Sequence, residues 1–154
     1  MNFAANEVER FRYLMLAVQR QGGRLLNDYF EKTGITASQA EAISILESRQ
    51  PLTLKELGNL LICEAGSPSR LVDRMVADGI IEKVVHPDDS RAVLLRLTAE
   101  GQAIAKRIKE IEEDAYRYIN QLLTDQEIKS VNGMLEKFIK AFPIHETLVS
   151  RGYI

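Results

Sequence analysis

Arg70 and Arg74, one helical turn apart, and Arg91, in a polar turn, are the side chains whose type and spacing could do chemistry. That chemistry is recognition of a polyanion rather than turnover. A guanidinium pairs with guanine O6 and N7 in the major groove of duplex DNA, or with phosphate. Ser67, Pro68 and Ser69 stand just before Arg70, with Ser67 reading as a helix N-cap and Pro68 as the first helical residue. Unpaired N–H groups and positive dipole character at such an end favour phosphate. Leu71, Val72, Met75 and Val76 form the opposite, apolar stripe, and Gly79 reads as the stop. By spacing alone, Arg70 and Arg74 also fit a solvated face. Asp73 between them suits pairing with a nearby cation.

The elements that must position these residues are legible on both sides. Thr36 with Gln39 reads as a capping box opening a helix to about Glu47, with Ala40, Ile43 and Leu46 inward. Pro51-Leu52 is a break. Thr53 with Glu56 is a second capping box, opening a short helix with Leu54, Leu57, Leu60 and Leu61. Residues 63–66 read as a turn into the arginine-bearing helix. After Gly79 the period switches to strands, Ile80–His86 and Ala92–Leu97, around the polar cluster Pro87-Asp88-Asp89-Ser90-Arg91. Short helix, turn, helix and hairpin make a helix-turn-helix with a wing. Of the two wing carboxylates, one is expected to pair with an arginine and fix its direction.

Long helices flank this unit. Thr98 reads as the cap of a helix over residues 99–122, whose Ile104, Ile108, Ile111, Ala115, Tyr118 and Leu122 form a seam of coiled-coil spacing. Thr124 with Glu127 caps another over 125–142, with Ile128, Val131, Leu135, Phe138 and Phe142 in line. Residues 7–32 are helix-like through Phe11, Leu14, Met15 and Val18. Gly22 and Gly23 interrupt them, each at about 1 kcal/mol relative to Ala, and mark a kink or a close backbone contact. The tail from Pro143 reads as irregular. A lone apolar seam needs cover, so a second copy is the expected partner.

Composition bounds the alternatives. The 154 residues suit one domain able to bury a core, and a net charge of -2 excludes a strongly basic polyanion-coating protein. Cys63 alone forms no internal disulfide, and with His86 and His145 it does not close a zinc site, so no metal or cofactor is expected. Cys63, after Leu60-Leu61-Ile62, is expected to pack as a small hydrophobe, with oxidant sensing as the alternative. Phe11, Tyr13, Tyr29, Phe30, Tyr116 and Tyr118 fit interface core or the lining of an effector pocket. No signal peptide is visible, and the apolar run 13–18 is too short to span a bilayer, so a cytoplasmic location is expected. Walker A, dinucleotide-binding, nucleophile-elbow and zinc-protease patterns are absent from the sequence, so no enzyme is expected.

The run from Asp88 through Gly101 resembles the wing and following helix start of the MarR family of bacterial transcriptional regulators. Asp89 and Arg91 match that family's Asp-x-Arg, and Leu97-Thr98-Ala99-Glu100-Gly101 its Leu-Thr-x-x-Gly. Residues 69–74 resemble its recognition helix and 79–81 the exit from it. Ser90 and Val84 stand where many relatives carry Arg or Lys, and Pro68 where a β-branched residue is common. The resemblance implies a mainly α (α+β) fold over 1–154, with a winged-helix lobe at 35–98 and helical dimerisation regions at 7–32 and 99–142. It implies a homodimeric repressor of double-stranded DNA, released by a small-molecule effector. Helix 68–78 would read the major groove. Arg91 would enter the minor groove, flanked by Lys83, His86, Asp89 and Ser90, and Ser38, Thr53 and Lys55 would touch phosphate. Phe11, Leu14 and the two seams above would form the dimer interface.

One feature opposes this. Residues 49–98 hold seven basic and seven acidic side chains, so the lobe is neutral overall. A DNA binder must then segregate its charges by face. The competing reading is a winged-helix protein-interaction module that does not bind DNA.

Overall fold

The computed structural model describes residues 6–63 and 66–154; of the expected turn at 63–66, Glu64 and Ala65 lie outside the described residues, as do residues 1–5. The chain forms two compact units divided after Ala37.

The first unit is dominated by α1 (Glu7–Glu31), whose N-cap Asn6 accepts from the Val8 amide at 3.0 Å. The helix runs unbroken through Gly22 and Gly23, and a Cβ at either would meet nothing within 4 Å. Of the two expectations for this pair, a kink or a close backbone contact, the close contact is not made among the described residues. Val8, Leu14 and Val18 are 72%, 55% and 72% exposed, so apolar side chains of α1 face outward.

The second unit carries the winged helix. Its elements are α2 (Ala37–Arg49), α3 (Leu54–Leu60), α4 (Pro68–Ala77), β1 (Ile81–Val85), β2 (Val93–Leu97), α5 (Ala99–Leu122), α6 (Asp125–Ile139) and α7 (Ile144–Arg151). The core consists of Ile43 and Leu46 of α2, Leu57 of α3, Val72 and Met75 of α4, Ile81 and Leu95 of the wing, and Ile108 of α5. In α3 Leu57 and Leu60 are buried, and Leu54 in its first turn is exposed. The two strands pair antiparallel from Ile81↔Leu97 to Val85↔Val93. Leu52, in the expected break, exchanges two backbone hydrogen bonds with Leu95 and so docks the start of α3 on the wing.

Element ends follow their capping chemistry. Thr53 and Glu56 close a reciprocal capping box, and so do Thr124 and Glu127. Beyond α4, the Gly79 amide bonds Val76 and the Ile80 amide bonds Met75, with Gly79 at φ 72°, a conformation only glycine adopts cheaply. The backbone and side-chain hydrogen bonds from the cap threonines hold the Glu56 and Glu127 carboxyls below the usual carboxylate range. A lowered folded-state pKa stabilises above the unfolded value, and that contribution is lost as pH falls through the folded value. Thr53→Ala should therefore be less stable than wild type at neutral pH, with the gap narrowing, as read by helical circular dichroism, when pH falls below the ordinary carboxylate range.

Two expectations are corrected here. Ile104 and Ile108 are only 6% and 0% exposed within a single chain, so the first half of the α5 seam belongs to the lobe core and not to an interface between copies. Ile111 and Ala115 are half-buried at the crossover, and Tyr118 and Leu122 are 47% and 64% exposed. The tail from Pro143 is not irregular, since α7 occupies it and ends at Gly152 in the left-handed region. Phe142 lies in the turn before α7, its ring 5.2 Å from that of Phe138.

Candidate nucleic-acid interface

The recognition helix is built as its sequence dictates. Leu71, Val72 and Met75 are buried, so the same helix turns Ser69, Arg70, Asp73 and Arg74 to solvent. Pro68 occupies the first turn, where its missing N–H costs nothing. Ser67 has the backbone of an N-cap, but its side chain does not cap; its hydroxyl lies 2.6 Å from that of Ser69. Among the described residues no side chain caps the first turn of α4.

Two carboxylates of the lobe, one on the recognition helix and one on the wing, are taken up by ion pairs. Lys83 of β1 reaches Asp73 of α4 at 2.9 Å, and Arg96 of β2 reaches Glu82 of β1 at 2.6 Å. The carboxylate between the two recognition-helix arginines is thereby neutralised, as expected of Asp73. Lys83, expected at the wing, is committed to that pair. The ion pairs formed among the described residues leave Arg70, Arg74 and Arg91 unengaged. All three are exposed.

The wing tip is an ordered polar turn. The Ala92 amide donates to the Asp89 carbonyl at 3.0 Å, and the Arg91 amide to Asp89 Oδ1 at 2.9 Å. Asp89 therefore fixes the backbone of Arg91 rather than its guanidinium, which corrects the expected side-chain pair. This is the local bond by which aspartate favours turns. His86 Nδ1 accepts from the Asp88 amide at 3.1 Å, so its proton sits on Nε2 when the ring is neutral. Ser90 is exposed beside Arg91.

The remaining expected contacts divide. Lys55 is exposed and Ser38 half-buried. Thr53 spends its hydroxyl on the capping box, 2.9 Å from Glu56 Oε2, and has less to offer a phosphate. Cys63 is exposed rather than packed, and desolvation together with the Glu41 carboxylate pushes its thiol up to about 11. A thiol so raised is mostly protonated at neutral pH and poorly suited to sensing oxidants. Among the described residues no group of three or more His, Cys, Asp or Glu could hold a metal ion, and no helix is long and apolar enough to cross a membrane. Sequence reasoning missed Arg151 and Glu41, which meet across α7 and α2; the signal available was Pro143 and Gly152 bracketing an eight-residue segment.

Comparisons with known proteins agree with this geometry. A family model described as MarR matches residues 35–93. The multiple antibiotic resistance protein MarR of Escherichia coli strain K12 is 30% identical over 135 residues, 87% of this chain and 94% of that protein. The homoprotocatechuate degradative operon repressor of Escherichia coli is 27% identical over 109 residues, 71% of this chain and 74% of that protein. Among solved structures, a cysteine-to-serine variant of Escherichia coli MarR complexed with operator DNA superposes with a TM-score of 0.77 at 30% identity, covering 87% of this chain and 96% of that one. With winged-helix elements in the same order and identity at this level across nearly the whole length of that relative, the chain belongs to the MarR family.

Proposed function

We propose that this chain is a transcription regulator that binds double-stranded DNA as a homodimer and represses from a pseudo-palindromic operator. The observation that carries the reading is the set of three exposed arginines, on the recognition helix and the wing tip, that the lobe's ion pairs leave unengaged. Asp73 and Glu82 are paired with Lys83 and Arg96, while Arg70, Arg74 and Arg91 stand exposed. The recognition helix would enter the major groove by its N-terminal end, and Arg91, on its stiffened turn, would reach the adjacent minor groove, where negative potential is concentrated. The homodimer is supported by the exposed apolar side chains of Leu122, Met134 and Leu135, which are 64%, 66% and 36% exposed within one chain. Two-fold symmetry would set the recognition helices about 34 Å apart, one turn of the duplex. Repression is supported by the chain's similarity to the homoprotocatechuate degradative operon repressor.

The test is a titration of a duplex selected from a random-sequence pool, repeated across salt. Arg70→Ala should weaken binding by about 1–3 kcal/mol, with the wild-type affinity falling steeply as salt rises. Wild-type affinity for the duplex with no loss in the Arg70 variant would remove that side chain from the recognition face. No DNA binding by wild type at low salt would favour a protein-interaction module instead.

A further inference from the structure

Outside the recognition face, a largely enclosed ion pair joins α7 to α2. Glu41 Oε1 accepts from Arg151 Nη1 at 2.5 Å and from the Ile62 amide at 2.9 Å, and Oε2 accepts from the Cys63 amide at 2.8 Å. The side chains of Arg151 and Glu41 are 13% and 10% exposed. Ile62 and Cys63 lie just past α3, on the way to α4, and their N–H groups have left the helical ladder. The acceptor that satisfies them is a side chain from another helix.

We propose that Arg151 is a positioning residue for DNA recognition, holding the Glu41 carboxylate against the Ile62 and Cys63 amides and so fixing the exit from α3, the helix that packs on α4. The proposal rests on the DNA-binding reading above. A carboxylate this enclosed keeps its charge only with a counter-charge and donors around it. Two amides alone do not neutralise it; the guanidinium does. Without Arg151 the carboxylate gains by swinging into water, and both amides lose their acceptor.

Arg151 is itself held. Its guanidinium stacks 5.0 Å over the Tyr153 ring, and its Nη2 donates to the Tyr153 hydroxyl at 3.3 Å. Gly152, at φ 76°, turns the chain so that Tyr153 reaches back. Along the same helix the Thr147 hydroxyl donates to the Asn59 carbonyl of α3 at 3.3 Å. The strap thus grips α3 and the exit from it, the side of the motif opposite in sequence to the wing.

The experiment compares Arg151→Met and Glu41→Gln in the full chain, with amide hydrogen exchange at Ile62 and Cys63 and titration of the pool-selected duplex. Both variants should keep their oligomeric state and helical content. Both should exchange those amides about tenfold faster and bind the duplex about tenfold more weakly, the loss expected for roughly one charge-assisted hydrogen bond. The two variants change net charge in opposite directions, so simple attraction to a polyanion would make Glu41→Gln bind more tightly. That result overturns the proposal, as does unchanged exchange in either variant, or faster exchange with unchanged affinity. If wild type selects no duplex, the DNA-binding reading fails, while the exchange measurement still decides whether the strap holds the turn.

Discussion

Gly101→Ala should cost the second unit about 3 kcal/mol, read as a lower denaturation midpoint at unchanged slope. The reason is a crossing of two chain segments. A Cβ at Gly101 would lie 2.3 Å from the Ile80 carbonyl oxygen and 3.2 Å from Leu97 Cβ and Cδ2. The Ile80 carbonyl cannot simply move aside, because it accepts from the Thr98 amide at 3.0 Å, while the Thr98 hydroxyl holds the neighbouring Gly79 carbonyl at 2.6 Å. Thr98 in turn caps α5 by accepting from the Gly101 amide. Displacing one of these groups displaces all of them, and with them the junction of recognition helix, wing and α5. Alanine's better helix propensity returns only about 1 kcal/mol, so the steric effect decides the sign. Gly133→Ala on α6, where the new Cβ meets nothing within 4 Å, is the control and should be neutral or stabilising. A Gly101 variant as stable as wild type would show that the α5 start can slide.

The same crossing explains why this part of the fold was legible in the sequence. Local chemistry announces itself: Thr53 with Glu56, Thr124 with Glu127, Pro68 at a helix start and Gly79 at its end all fall where the structure has those boundaries. The strands followed from the switch of hydrophobic period after Gly79. What stayed hidden depends on residues far apart in sequence. The spacing of Ile104 through Leu122 is uniform, and nothing in it says that the lobe covers Ile108 while leaving Leu122 exposed. α7 has too few apolar residues to show a period, and it is secured by Arg151 meeting Glu41 across 110 positions. Which of Asp88 and Asp89 pairs, and with which arginine atom, is not legible either, because side-chain and backbone pairing leave the same trace in a sequence. The paired state of Asp73, by contrast, was legible, since an aspartate between two arginines on a recognition face needs a cation.

Leu135→Asp should convert the proposed dimer to monomers, raising the dimer dissociation constant by more than about a hundredfold in sedimentation or light scattering. α6 has no buried residue within one chain, yet Val131, Met134 and Leu135 give it an apolar stripe. If a second copy covers that stripe, two-fold symmetry buries the new carboxylate twice, and each burial leaves a charge without a partner. Leu135 is a sharper probe than Ile111, which its own chain half covers, so that a change there would also disturb the lobe. The lobe itself should be untouched, because Leu135 contributes nothing to its core. The two measurements then separate assembly from recognition. A folded monomer should lose most of its affinity for a two-half-site duplex, since each lobe must now bind alone and the gain from tethering disappears. It should keep weak, steeply salt-dependent binding through Arg70, Arg74 and Arg91. A variant that remains dimeric would move the interface off α6. A monomer that bound the full duplex as tightly as wild type would mean that one lobe suffices, and the two-fold operator would no longer be required.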